Sequence, residues 1–237
     1  MCWSKDVSLA MGVLGSAAGY YAYNHIDRLF GISIWYFTLM QIIHYVGYLY
    51  VDKCNNKINQ GASYLNYIHI CFQPFFFGLG MCGLLGKYKI ITKAQITTYM
   101  TIIYFSLFAS VSYLLRLVPF KFYNHVVHGG NLERTGGVFS GKLCSIQGDK
   151  HVYFTLPLRN QPYYVTASVF FHFLFFFCPL FIFNNITRLI SIFVMITAYT
   201  PVFLYNVKMS EGASLWCNIS ILQLIAVGMI VAYKSRL

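Results

Sequence analysis

Asn66, His69 and Gln73 recur three and four residues apart inside a run otherwise built from aromatic and aliphatic side chains. At helical spacing they form one polar stripe. Such a stripe can bind a small polar molecule, hold a metal ion through the imidazole, or hydrogen-bond to a neighbouring helix. Unpaired polar groups cost free energy in hydrocarbon, so in a membrane helix the stripe must face the protein interior. Pro74 removes one backbone donor and leaves the Ile70 carbonyl without its usual partner, a break tolerated where neighbouring helices supply replacements.

Gln41, His44 and Tyr48 form a second stripe of the same kind, expected to face the first because consecutive helices joined by a short loop are usually neighbours. His172 lies in a later apolar run. A rise of about 1.5 Å per residue puts His44, His69 and His172 roughly 10 to 15 Å in from the same face. Three neutral imidazoles near one plane could hold a divalent metal and leave a coordination position open. No two of them share a helix at i and i+4 and no H-E-x-x-H run is present, so interhelical hydrogen bonding is the competing reading. Glu211, with Ser214, Trp216, Cys217 and Asn218, stands at the mouth of the last apolar run. It reads either as a first-turn acid complementing the helix dipole, or as a gate or general base of a pocket. His151 is by the same logic a solvated loop residue or a lid over that pocket. The candidate cavity lining is thus Gln41, His44, Tyr48, Asn66, His69, Gln73, His172, Glu211, Trp216 and Asn218, with His44, His69 and His172 as candidate metal ligands.

The elements that must position these residues follow from composition. The 237-residue chain is 58% hydrophobic and only 10% charged, against about 25% in soluble domains, so most of it belongs in lipid. Aromatic residues reach 19%, which suits aromatic-lined helices with Tyr hydroxyls near the interfaces. The net charge of +11 comes from single basic residues or small groups between apolar runs, a pattern that fits flanks of a bilayer and not a nucleic-acid surface. Nothing in the sequence marks an oligomeric state.

Taking about 20 apolar residues per crossing, the spans fall at 7–26, 30–51, 62–85, 96–117, 163–183, 187–206 and 213–233. The expectation is an all-α, polytopic membrane bundle of seven transmembrane helices, a single integral membrane domain over 1–237. The run from Val7 reads as the first span and not as a signal peptide. Its Gly12, Gly15, Ser16 and Gly19 form a small-residue face that lets helices approach closely. The segment 118–162 is extramembrane. Within it two short alternating runs flank Gln147-Gly148-Asp149-Lys150, which reads as a β-hairpin between the fourth and fifth spans, capping the bundle.

No Asp or Glu lies in the middle of a span, so an acidic proton relay lacks its parts. The lysines nearest the seventh span are Lys208 and Lys234, and no retinal Schiff base is expected. Neither a Walker loop, a G-x-S-x-G elbow nor a dinucleotide fingerprint occurs. Lys and Arg are spread over both faces, so the positive-inside rule does not choose an orientation. Cys2, Cys54, Cys144 and Cys217 lie on or near the N-terminal face, and a disulfide-permissive compartment there would give them a use. The expected pairs are Cys2–Cys217 and Cys54–Cys144, with that face extracytosolic, though four cysteines leave other connectivities open.

The opening Met1-Cys2-Trp3-Ser4, the run YLNYIHICFQPFF at 64–76, the hairpin LCSIQGDKHVYFTLPL at 143–158 and EGASLWCNIS at 211–220 together resemble an uncharacterised family of multi-pass membrane proteins of bacteria, microbial eukaryotes and large DNA viruses. The resemblance implies that Cys2, Trp3, Asn66, His69, Gln73, Pro74, Cys144, Gly148, His151, Glu211, Trp216 and Cys217 are motif positions. The chain departs at the hairpin, where Lys150 and Tyr153-Phe154 replace tryptophans of the pattern. Two functional readings follow. One is a binder or transporter of a small molecule, with a polar, aromatic-lined cavity under the hairpin. The other is a membrane enzyme acting on a lipid-like substrate, with a metal on the histidines and Glu211 as acid or base. The absence of carboxylate partners in the spans weighs against the enzyme, and the absence of an inverted repeat against a secondary transporter. A structural membrane protein is the third reading.

Overall fold

The computed structural model describes residues 4–117, 142–149, 151–157, 169–204 and 209–235. Its helices are α1 (Lys5–His25), α2 (Arg28–Leu49), α3 (Lys57–Lys87), α4 (Lys93–Leu114), α5 (Val169–Phe177), α6 (Asn185–Leu204) and α7 (Met209–Lys234). Strands β1 (Cys144–Gln147) and β2 (Val152–Thr155) form the expected hairpin between α4 and α5. By length and composition α2, α3 and α4 could each cross a membrane, and shorter apolar helical stretches lie at 172–182, 185–200 and 219–234.

Local chemistry sets the helix starts. Ser4, Asp27 and Asn56 each accept a backbone N–H of the first turn with the side chain, and Thr92 and Gln95 close a reciprocal capping box. Asn184 does the same for α6 through Ile186 and Thr187. The Asn56 cap starts α3 at Lys57, five residues before the expected 62, so the second half of the anticipated 52–60 loop, 57–60, is helix. The α5 helix is described from Val169, and 163–168 of the expected fifth span lie outside the described residues. Pro179 lacks a backbone donor, and there α5 passes into a 3-10 turn at Cys178–Ile182.

The small-residue face of α1 packs on α2 as close approach requires. A methyl group on Gly19 would stand 2.5 Å from the Trp35 ring, and Gly15 lies against Thr38 and Ile221. The α3 helix occupies the middle, against α2, α4, α5, α7 and both strands. One apolar cluster, with Phe30, Phe37, Met81, Tyr99, Phe176 and Leu224, fills one half of the bundle, and a smaller one with Met40, Tyr67, Ile70, Phe154 and Leu156 lies toward the hairpin. Large apolar side chains also cover the outside, among them Val13, Tyr20, Tyr104, Phe105 and Phe108.

Two groups of connections collect at opposite ends. The α2–α3 loop, the hairpin and the start of α7 meet through Cys54–Cys144, Asn59 and Glu211. At the other end the Asn184 side chain, before α6, donates to the Ile90 carbonyl after α3 at 2.8 Å.

Candidate functional site

Polar side chains from α2, α3, α7 and the hairpin converge in one buried layer. The stripes of α2 and α3 both turn inward, and Gln41 of one and Gln73 of the other both reach Cys217 on α7. His69 Nε2 donates to the Tyr36 carbonyl at 2.7 Å, and the Tyr36 hydroxyl returns a bond to the His69 carbonyl at 2.5 Å. The two rings stack at 4.2 Å, with Phe76 on the other face of Tyr36 at 3.8 Å. Gln73 Nε2 lies 3.4 Å from His69 Nδ1 and donates to Cys217 Sγ at 3.3 Å, while Gln41 Nε2 donates to the Cys217 carbonyl at 2.8 Å. Because Nε2 carries the proton toward Tyr36, Nδ1 is the acceptor, and both nitrogens of His69 are in use.

Above this layer sits the hairpin. Its strands pair Cys144 with Thr155 through Gln147 with Val152, leaving Gly148, Asp149 and His151 to the turn. The expected second strand began at His151. Instead the His151 carbonyl accepts the Gly148 N–H at 3.0 Å, which closes the turn and sends the imidazole inward. His151 is fully buried. Its Nδ1 lies 2.6 Å from the Tyr48 hydroxyl, and its ring meets that of His44 edge to face at 5.4 Å. Glu211, in the first turn of α7, accepts the N–H of His151 at 3.1 Å and that of Asp149 at 3.3 Å. Gly148 lies so close to the Glu211 carboxylate and the His151 carbonyl that a Cβ there would clash with both. The other side of the hairpin is tied down by a Cys54–Cys144 disulfide and by Asn59, which accepts the Ser145 N–H at 2.9 Å and donates to the Ser145 carbonyl at 3.0 Å. Asn59 thereby stands in for a neighbouring strand. The Asp52 carboxylate accepts the Gln147 N–H at 3.0 Å, and the Ser63 and Ser145 hydroxyls are 2.9 Å apart.

His44 is the exception in this network. It is 1% exposed, and neither ring nitrogen has a hydrogen-bond partner among the described residues. The side-chain oxygens of Gln41 and Asn66, also buried, are likewise unpaired. Buried polar atoms are almost always satisfied, so three such groups on facing helices stand out among the described residues.

A family model described as a family of unknown function (DUF5765) matches residues 6–237. The chain belongs to this family. No curated protein and no solved structure matches it. Since DUF5765 brings no assigned activity, the chemistry has to be argued from the side chains of this member.

The expected metal triad does not assemble in this DUF5765 chain. His69 has spent both nitrogens, and the rings of Phe37 and Phe176 stand between it and His172. Among the described residues no group of three His, Cys, Asp or Glu could hold a metal ion. Trp216 turns away from the centre. Its Nε1 donates to Gln223 at 3.1 Å, which in turn donates to Val194 and Thr197 on α6, and its ring packs on Phe176. The Asn218 side chain and Cys2 lie outside the described residues. Cys217 is a buried free thiol, in place of the expected link to Cys2. Three contributors escaped the sequence reading: Tyr36, Asp52 and Asn59. Asn59 carried a signal, because a polar residue seven before Asn66 extends the same stripe by two helical turns.

Proposed function

We propose that the chain is a seven-span membrane protein whose hairpin-capped centre binds a small polar molecule, with His44 as its principal contact. Membrane residence is supported by the three long apolar helices and by large apolar side chains pointing outward, such as Val13 at 65% and Phe108 at 70% exposure. The binding reading is carried by one observation: an imidazole 1% exposed with both nitrogens unpartnered among the described residues, on helices that also carry buried, unpaired amide oxygens at Gln41 and Asn66. A neutral imidazole offers one donor and one acceptor, and the two amide oxygens are acceptors, so the preferred occupant carries more donors than acceptors.

The hairpin acts as the lid. Its β1 side is the fixed edge, held by the disulfide and Asn59, and its turn is the latch, held by Glu211 and Tyr48. Releasing the Glu211 latch withdraws His151 from His44 and exposes the centre on the disulfide-bearing face, which is then extracytosolic. Glu211 serves the lid more readily than proton transfer, since its carboxylate already accepts two backbone N–H groups.

The test is chemical extraction of protein purified in lipid nanodiscs, followed by mass spectrometry of the released small molecules. The wild type should release a polar molecule that the His44→Phe protein lacks. Identical extracts from two equally folded proteins would refute the reading and leave ordered water as the partner of His44.

A further inference from the structure

His172 belongs to a second site. It lines a shallow, partly open cleft of about 10 Å³, room for one hydroxyl-sized group, between α3, α4 and α5, together with Cys71, Ser106, Ala109, Ser110 and Tyr113. Among the described residues its ring meets Tyr113, Phe173 and Phe176, and no hydrogen bond reaches either nitrogen. The imidazole is half-buried, so it faces the cleft with a donor and an acceptor unused. Ser106 and Ser110 donate to the carbonyls of Ile103 and Ser106, each at 2.8 Å, which leaves their oxygens able to accept. The α4 helix that forms the outer wall carries Tyr104, Phe105 and Phe108 on its other face, exposed by 63%, 61% and 70%. A cleft beside such a surface opens to lipid, where an unmatched imidazole is costly and the available partners are lipid molecules.

The chemistry of the lining narrows the class. Among the described residues its lining contains no Lys or Arg, so nothing there compensates a phosphate or carboxylate head group. Its polar groups are neutral, few and close together, matched to one small uncharged group that can both donate and accept. We propose that this cleft binds a neutral membrane lipid with a free hydroxyl, of the diacylglycerol or sterol class, through His172. The hydroxyl accepts from the N–H of His172 and donates to the oxygen of Ser106 or Ser110, while the apolar body lies along Phe175 and the outer face of α4. The inference rests on the membrane reading above and is independent of the hairpin-capped centre.

The test uses the full chain in phosphatidylcholine nanodiscs doped with a photoactivatable diacylglycerol or, separately, a photoactivatable sterol. Adducts are mapped by peptide mass spectrometry, with excess unlabelled alcohol or its methyl ether as competitor. At least one of the two probes should give adducts within residues 106–113, reduced about tenfold by the alcohol and little by the ether. His172→Phe should abolish the competable adducts, His172→Gln should retain them, and Ala109→Leu, which fills the mouth of the cleft, should abolish them in a protein of unchanged stability. Equal competition by the ether, adducts that persist in both His172→Phe and Ala109→Leu, or no competable adduct with either probe would overturn the proposal. Non-competable adducts on Phe105 and Phe108 report that α4 faces lipid. Their absence would sink the membrane reading, whereas their presence without competable cleft adducts would sink this inference alone.

Discussion

Two histidines one helix apart should respond to substitution with opposite signs. His69 holds α2 to α3 through a reciprocal pair of bonds with Tyr36, so His69→Asn or Tyr36→Phe should lower stability by roughly 1 kcal/mol, the scale of an interhelical hydrogen bond in a membrane. The two losses should be less than additive in the double variant, because each removes part of one shared arrangement. His44 has no bond to lose among the described residues. Replacing an unsatisfied buried polar group by an apolar one of similar size is neutral or stabilising, so His44→Phe should leave the melting temperature of the ligand-free protein unchanged or raise it. Thermal unfolding of the variants in one detergent checks both signs. A His44→Phe protein that melts well below His69→Asn would mean that His44 is a packing residue. That the stripes face inward was legible, because a polar side chain in an apolar run has nowhere else to go. Which histidine is satisfied was not, since Tyr36 reads in sequence as one aromatic among many and nothing marks its hydroxyl for the His69 carbonyl.

At the scale of elements the hairpin is held along two edges that can be cut separately. Glu211→Ala removes the acceptor of two turn N–H groups, and Gly148→Ala pushes the turn off the carboxylate, so either should lift the latch while the disulfide keeps the hairpin attached. Cys217, a buried free thiol bonded to Gln73 beneath the hairpin, is a built-in reporter. Its alkylation rate, followed by peptide mass spectrometry apart from Cys71, Cys82 and Cys178, should rise about tenfold for every 1.4 kcal/mol by which opening is eased. A rate unchanged in both variants would show that the turn does not gate the centre. The hairpin itself was legible from its alternating runs and Gly-Asp turn. Its register at the turn was not, because the inward swing of His151 depends on Glu211, sixty residues further on. The Asn59 support was hidden for a related reason: the 52–60 segment reads as loop until the Asn56 cap extends α3 through its second half.

For the whole molecule, the connections constrain how the helices can cross a bilayer. Cys54 and Cys144 are bonded, so an even number of crossings separates them, and among the described residues the long helices between are α3 and α4. Glu211 touches the hairpin turn, so any crossings between them, for which the described residues offer α5 and α6, are again even in number. At the far end the Asn184 bond to Ile90 puts the α5–α6 turn beside the α3–α4 turn, which alternation also requires. These three contacts fit the proposed serial up-and-down bundle, in which each helix would cross once. The prediction is that cysteines introduced at Lys87 and at Gln147, both exposed, react with a membrane-impermeant thiol reagent from opposite sides of sealed vesicles. Gln147→Cys should share its side with the Cys54–Cys144 disulfide, so intact cells should label it and spare Lys87→Cys if that face is extracytosolic. Labelling of both positions from one side would break the alternation. With it would fall the placing of the hairpin, the Glu211 latch and the buried centre at a single extracytosolic end.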